Sequence, residues 1–319
     1  MRIAINGFGR IGRNVLRAAA TEEIVAVNDL ADAPTLAHLL RYDSTLGRFP
    51  GEVEAAGDHL IVNGHKIAVT AEPDPARLPW HDIDVAVEST GRFTAGAGAH
   101  VTRKVLVTAP AKDADITIAY GINHGGYDPA VHRVVSNASC TTNALAPIAS
   151  VLDDLAGVES GSMTTIHAYT QEQNLQDGPH RDPRRARAAA LNIAPTTTGA
   201  ATAIGAVLPR LNGRLSGYSV RVPVPVGSLV ELNALVSHPV TVDEINSAFQ
   251  VAAAGPLRGI LEYSDDPLVS SDITGNPASS VFDSLLTAAH GRLVKVVAWY
   301  DNEWGFANRV VDTLTLLGR

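Results

Sequence analysis

Cys140 is the one cysteine among 319 residues, and it stands in the run Ser139-Cys140-Thr141-Thr142-Asn143. A strand ending near Ser136 precedes it, and an apolar helix running to about Leu155 follows. A thiol at a helix N-terminus faces the positive end of the dipole, which stabilises the thiolate and lowers the pKa. That places a nucleophile where nucleophilic catalysis needs one. The competing reading is a buried structural thiol, and the Ser, Thr, Thr and Asn flanks argue against an apolar burial site. A thiolate also needs a base or an ion-pair partner. His167 is the candidate, following a strand and flanked by Thr164, Thr165, Ala168, Tyr169 and Thr170. Taken alone it reads as one structural histidine among eleven. Its spacing from Cys140 decides nothing, because the pair must meet in space rather than in sequence.

A second chemical feature lies near the start of the chain. Gly7-Phe8-Gly9-Arg10-Ile11-Gly12 follows a strand and opens a helix. Gly7 permits a tight turn, Gly9 lets the backbone approach a pyrophosphate, and Gly12 lets helix and strand pack closely. The helix start offers N–H groups and a positive dipole end to phosphates. Asp29 ends the next strand, about twenty residues on, where a carboxylate accepts the ribose hydroxyls of a dinucleotide. The same carboxylate repels a 2′-phosphate, so NAD is expected rather than NADP. The bland alternative is a tight strand-to-helix turn, and the strand, helix and acid together favour the dinucleotide.

These groups need a scaffold. In the first half, short apolar runs alternate with helical patterns, as in a parallel sheet covered by helices. Arg2 to Asn6, Ile24 to Asn28, Val85 to Glu88, Lys104 to Thr108 and Asp115 to Ala119 read as strands, and Arg10 to Ala20 as a helix. His59 to Val62 and Lys66 to Thr70 flank Asn63-Gly64, a strong hairpin signal. In the second half, longer alternating strands appear around Ser162 to His167, Gly217 to Val222, Leu229 to Val236 and Leu293 to Ala298. They predict a largely antiparallel sheet with one solvated or interface face. Thr241 and Glu244 form a capping box ahead of a helix ending near Gly255. A helix from Phe306 to Leu317 closes the chain.

Composition narrows the class. The length suggests two domains, and the formal net charge of -8 argues against a nucleic-acid footprint spread over the surface. A single cysteine forms no internal disulfide, which fits a reducing compartment. The opening residues reach the glycine loop too soon for a signal peptide, and no apolar run approaches a membrane span. A soluble, cytoplasmic protein without membrane or nucleic-acid partners is expected. With one cysteine, no paired-histidine helix motif and no clustered carboxylates, no metal is expected.

With these stretches in view, the sequence resembles the phosphorylating glyceraldehyde-3-phosphate dehydrogenases, a family of glycolysis. Matching segments are Asn6 to Arg13, Ser139 to Asn143, Ile166 to Thr170, Pro195 to Ala201, Arg221-Val222-Pro223 and Trp299 to Glu303. They cover essentially the whole chain in the right order. The resemblance implies that Cys140 attacks an aldehyde and that His167 keeps the thiolate available and accepts the hydroxyl proton. Hydride then passes to NAD, and inorganic phosphate releases an acyl phosphate from the thioester. It implies that Thr170, Arg185 and Arg221 bind the substrate phosphate and other anions near the site, and that Ser139, Thr141, Thr198 and Gly199 bind the attacking phosphate. For the cofactor it points to Gly7, Gly9, Arg10, Ile11, Gly12 and Asp29, to Thr108 near the nicotinamide, and to Asn302 orienting its carboxamide. The implied substrates are glyceraldehyde 3-phosphate and inorganic phosphate, and the implied assembly is a homotetramer with the second sheet's open face at a subunit interface.

The expected fold class is α/β: a Rossmann dinucleotide-binding domain of residues 1–138 and 303–319, plus an α+β catalytic domain of residues 139–302 with a largely antiparallel sheet. Two alternatives stand beside this reading. Erythrose-4-phosphate dehydrogenase shares the Cys/His pair and resembles the stretch Asp301 to Arg309, but Thr170, Thr198-Gly199 and Asp29 fit the three-carbon enzyme better. A non-catalytic NAD- or nucleic-acid-binding protein would have no chemical need of Cys140, His167, Thr170, Thr198 and Arg221 together.

Overall fold

A computed structural model describes residues 1–19 and 23–318. The chain divides into two compact units, one of Met1–Tyr120, His124–Ala138 and Ala307–Arg319, the other of Gly121–Asn123 and Ser139–Phe306.

The first unit is built on a nine-stranded sheet. From one edge its strands are Ile116–Thr117, Val134–Ser136, Lys104–Val107, Val85–Glu88, Ile3–Asn6, Ile24–Asn28, His65–Thr70, His59–Val62 and Val53–Ala56. Every pairing from Ile116–Thr117 through His65–Thr70 is parallel. The last two pairings are antiparallel. The central strands Ile3–Asn6 and Val85–Glu88 are buried along their whole length, as expected of parallel strands covered on both faces. Strand order reverses beside Ile3–Asn6, with Ile24–Asn28 on one side and Val85–Glu88 on the other. That switch point is where doubly wound sheets open a crevice for a ligand at the strands' carboxyl ends.

Local chemistry explains the turns. Asn63 and Gly64 both take left-handed conformations, with φ of 50° and 81°, as a two-residue type I′ hairpin requires. The first helix covers Arg10–Ala18, and Ala20, the expected end, lies outside the described residues, as does Arg319. A helix not expected from the sequence, Ala33–Arg41, starts at Asp32, whose side chain accepts the N–H of Thr35.

The second unit carries an eight-stranded sheet. Its order is Ala194–Thr196, Leu215–Val222, Val158–Ala168, Ser228–Val236, Leu293–Tyr300, Ser280–Asp283 and Leu261–Ser264, with Ala288–His290 also pairing Leu293–Tyr300. Most pairings are antiparallel. Two are parallel, and one of these joins Val158–Ala168 to Leu215–Val222. Burial alternates along Ser228–Val236, so one face of that strand is in the core. The helix Cys140–Ala156 packs against the strands Ser228–Val236, Leu293–Tyr300 and Ser280–Asp283. It stops at Gly157, which takes φ 65° while its N–H bonds to Asp153 O. The capping box of Thr241 and Glu244 is present on the helix Val242–Ala254, and the closing helix is Trp304–Leu317.

Candidate active site

In the first unit, the strand-to-helix turn is shaped by what the glycines exclude. Gly7 has φ 90°, and a side chain there would stand 2.6 Å from the backbone nitrogen of Thr90. A methyl group on Gly12 would lie 2.2 Å from Gly7 O, so the helix can approach the loop only without a Cβ. Gly9 is the opposite case: nothing lies within 4 Å of the place a Cβ would occupy. It is also the N-cap of Arg10–Ala18, and no side chain caps that helix. Open space in front of an uncapped helix start fits an anionic pyrophosphate.

The neighbouring candidates are held more firmly than the sequence suggests. Asp29 accepts the N–H of Phe8 at 2.8 Å and the N–H of Ala31 at 3.1 Å, which leaves its carboxylate further lone pairs. The Arg10 guanidinium pairs with Asp43 and donates to Thr45 Oγ1 at 2.7 Å. Ile11 is the second residue of the helix. Thr108 hangs its hydroxyl on Glu88 O at 3.2 Å. Beneath the loop runs a buried polar chain that the sequence did not reveal. Asn28 donates to Asn6, Asn6 to Glu88, and His100 Nε2 meets the same Glu88 oxygen at 2.9 Å.

In the second unit, Ser139 caps the helix of Cys140 by accepting the N–H of Thr142 at 3.0 Å. Cys140 is thus the first helical residue, its thiol at the positive end of a 17-residue helix. The polar flanks Thr141, Thr142 and Asn143 are themselves buried. They are polar because the helix start is enclosed and its groups need partners, while Cys140 keeps partial access to solvent.

His167 Nε2 lies 3.5 Å from Cys140 Sγ. His167 sits near the end of Val158–Ala168, in register with Arg221 on the parallel neighbour. Its Nδ1 is 2.7 Å from Ala168 O and 2.8 Å from Arg221 Nη1. A carbonyl only accepts and a guanidinium only donates, so Nδ1 satisfies one of the two. Arg221 Nη1 has a second acceptor in Ala168 O at 3.1 Å. Two donors can therefore converge on the two lone pairs of Ala168 O, which puts the proton on Nδ1 and turns the Nε2 lone pair toward sulfur. Burial, followed by the charge of Arg221, pushes His167 down to about 3, so the imidazole is neutral near pH 7. Enclosure also pushes the Cys140 thiol up, against the pull of Arg221 and of the backbone N–H groups of Thr141 and Cys140 at the helix start. The partial solvent access of Cys140 weakens that upward push.

The remaining anion candidates surround this pair unevenly. Arg185 donates to Thr197 O at 3.1 Å and lies near Glu172 and Asp182. Arg185 and Glu172 are both close enough to act electrostatically on Arg221. Thr170 heads the turn after His167, its N–H 3.4 Å from Gln173 Oε1. Gly199 is the uncapped N-cap of the helix Ala200–Val207, and Thr198 Oγ1 accepts the N–H of Ala200 at 3.2 Å. Among the described residues, no hydrogen bond joins Thr198 or Gly199 to Cys140, His167 or Arg221. Asn302 accepts from Ser228 Oγ at 2.9 Å, and the same Ser228 hydroxyl oxygen accepts the N–H of Ala168. Among the described residues no cluster of three or more His, Cys, Asp or Glu could hold a metal ion.

Comparison with known proteins fixes the family. Residues 139–302 match the model of the glyceraldehyde 3-phosphate dehydrogenase C-terminal domain, and residues 1–96 match that family's NAD binding domain. The chain belongs to the glyceraldehyde-3-phosphate dehydrogenase family. It is 66% identical over 327 residues to the glyceraldehyde-3-phosphate dehydrogenase of Kitasatospora aureofaciens, covering 99% of this chain and 98% of that protein. It is 57% identical to glyceraldehyde-3-phosphate dehydrogenase 2 of Streptomyces arenae, covering 100% of this chain and 98% of that one. The Mycobacterium tuberculosis protein of the same name is 56% identical, with 100% and 99% covered. As a member of the glyceraldehyde-3-phosphate dehydrogenase family the chain is an NAD-dependent oxidoreductase that acts on an aldehyde.

Proposed function

We propose that this chain oxidises glyceraldehyde 3-phosphate through a thioester on Cys140 and releases 1,3-bisphosphoglycerate by phosphorolysis. The observation that carries this reading is the 3.5 Å approach of His167 Nε2 to Cys140 Sγ at the start of a helix. The neutral imidazole, lone pair toward sulfur, takes the thiol proton and leaves a thiolate that the helix dipole stabilises. Attack on the aldehyde carbon forms the C–S bond as the carbonyl π bond opens, and the oxyanion, met by the Cys140 backbone N–H, takes the proton back from His167 to give the thiohemiacetal hydroxyl and a neutral imidazole. His167 next accepts the proton of the thiohemiacetal hydroxyl as the carbonyl re-forms and hydride leaves carbon. NAD, when bound, supplies the hydride acceptor. It would be held by the helix start behind Gly7, Gly9, Arg10, Ile11 and Gly12, by Asp29 at the ribose, and by Thr108 and Asn302 near the nicotinamide.

Thr170, Arg185 and Arg221 are assigned to the substrate phosphate and other anions near the site. Ser139, Thr141, Thr198 and Gly199 are assigned to the attacking inorganic phosphate, whose oxygen forms the new bond to the acyl carbon as the C–S bond breaks. Hydroxyls and backbone N–H groups can bind such anions without added charge. Residues 1–138 and 303–319 serve as the dinucleotide domain, and residues 139–302 carry the chemistry.

The assembly we propose is a homotetramer. Leu175, Leu191 and Ile193 are exposed by 80%, 82% and 72% in the segment after His167, and Tyr218, Leu235 and Leu293 are exposed on strands of the second sheet. Apolar side chains so exposed in one unit support a subunit interface. We assign the enzyme to the cytoplasm, where its single thiol stays reduced. Among the described residues no helix is long and apolar enough to cross a membrane.

The direct test is NADH formation from NAD and glyceraldehyde 3-phosphate, with and without inorganic phosphate, beside erythrose 4-phosphate. Phosphate-dependent reduction that prefers the three-carbon substrate is expected. Preference for the four-carbon sugar, or indifference to phosphate, would transfer the assignment to erythrose-4-phosphate dehydrogenase.

A further inference from the structure

Tyr300 ends the strand Leu293–Tyr300 and is buried. Its hydroxyl lies 2.9 Å from Thr141 Oγ1 and 2.8 Å from Thr165 Oγ1. Thr165 Oγ1 in turn lies 3.0 Å from Leu229 O. Three contacts are thus made by three hydroxyl protons, and the chain ends on a carbonyl, which only accepts. The directions follow: Thr165 donates to Leu229 O, Tyr300 donates to Thr165, and Thr141 donates to Tyr300. No other assignment satisfies all three contacts.

The last link matters because Thr141 Oγ1 is also 4.0 Å from Cys140 Sγ, at the outer reach of a sulfur hydrogen bond. With its proton turned to Tyr300, Thr141 offers sulfur only lone pairs, which suit a thiol and not a thiolate. Turned alone, Thr141 forfeits its bond to Tyr300; for it to donate to the thiolate and keep that contact, all three hydroxyls must rotate. Tyr300 then donates to Thr141, Thr165 donates to Tyr300, and Leu229 O loses its hydroxyl bond. Every proton stays on its own oxygen, and burial keeps Tyr300 protonated by pushing its pKa well above the ordinary tyrosine value.

We propose that Tyr300 and Thr165 are positioning residues that hold the Thr141 hydroxyl turned away from the reacting sulfur until the three hydroxyls rotate together. The proposal builds on the thioester reading, in which the thiolate attacks and the phosphate that follows needs a donor from Thr141. One rotation presents that proton to either anion. The resting setting favours the thiol of Cys140, and the rotated setting favours the anions.

The test is the pH dependence of Cys140 alkylation by iodoacetamide in the full-length, NAD-free enzyme. The titratable and charged groups facing the sulfur are His167, Arg221 and Tyr300, and the variants leave the first two in place. In Thr165→Val, Tyr300 is free to donate to Thr141 with no carbonyl bond to forfeit. In Tyr300→Phe, Thr141 loses its acceptor and turns to sulfur. Both are expected to lower the midpoint by about 0.3–1 unit, the effect of one modest hydrogen bond. Thr165→Ser keeps the hydroxyl and should keep the wild-type midpoint. General loosening of the site would not lower the midpoint in two variants and restore it in the third. An unchanged or raised midpoint in Thr165→Val or Tyr300→Phe overturns the proposal, and so does a fall in Thr165→Ser equal to that in Thr165→Val. Alkylation needs neither aldehyde nor phosphate, so this result stands apart from whether phosphate-dependent turnover is found.

Discussion

The two units hold their working groups by different means. In the first, position is set by what is missing: no Cβ at Gly12 against Gly7 O, none at Gly7 against Thr90, and open space before Gly9. In the second, position is set by side chains that converge from strands distant in sequence, as His167 and Arg221 do on paired parallel strands. A binding turn for a dinucleotide needs backbone donors and close approach, which a short glycine pattern supplies by itself. A nucleophile needs a partner with the right proton, and that partner arrives only through tertiary structure.

Substitutions that damage one unit and spare the other would sharpen this contrast. Cys140→Ser should lower turnover by on the order of 10³-fold or more, because a hydroxyl has no comparable anion at neutral pH. NAD titration should show binding intact, and retained dehydrogenase activity would refute the thioester mechanism. Gly12→Ala is the reciprocal change. The added methyl meets backbone rather than a flexible side chain, so a loss of about 1–3 kcal/mol in stability and a marked loss of NAD affinity are expected. Denaturant unfolding and NAD titration check this, with Cys140 alkylation retained.

His167→Asn should raise the pH at which Cys140 reacts and should also flatten the response of stability to acid. Burial and the charge of Arg221 push the native imidazole down to about 3 from the ordinary histidine value of 6.5. Between those values the unfolded chain binds the proton and the native one does not, so stability falls as pH falls. From pH 6.5 to pH 5 this amounts to on the order of 2 kcal/mol for wild type, and the variant should lack it. Equal pH slopes for the two proteins would show that His167 is not buried as a neutral base. The smallest effect is expected at Thr241→Ala, far from either site in function. Losing the capping box of Val242–Ala254 should cost about 1 kcal/mol, seen as a lower melting temperature with kcat unchanged.

The sequence was most legible where the physical demand is local. Gly7, Gly9 and Gly12, the Asn63-Gly64 turn and the Thr241 capping box all satisfy requirements that lie within a few residues. It was less legible where geometry interrupts a pattern. Val158–Ala168 is longer than the alternation from Ser162 suggests, because the register shifts between Val158 and Ser160. The helix Ala200–Val207 is masked by Gly205, a poor helix former, which sits where a Cβ would come within 2.4 Å of Asn212 Oδ1. The hydroxyl contacts of Tyr300 carried no local signal: its partners Thr165 and Thr141 are 135 and 159 residues away. The neutral state of His167 was likewise invisible, since it comes from burial and from Arg221 on another strand.

The parallel pairing of Val158–Ala168 with Leu215–Val222 has an evolutionary consequence. Because the two strands run the same way, the chain must travel back from one end to the other before the second can begin, and the returning segment includes Thr170, Arg185, Thr198 and Gly199. His167 and Arg221 are anchored to each other in sheet register, and of the excursion only Ala194–Thr196 pairs with the Arg221 strand. Outside Ala194–Thr196 the excursion can lengthen or shorten while His167 and Arg221 stay aligned. If the anion assignments proposed for that stretch hold, choice of substrate can be redesigned there while the register of His167 and Arg221 is kept.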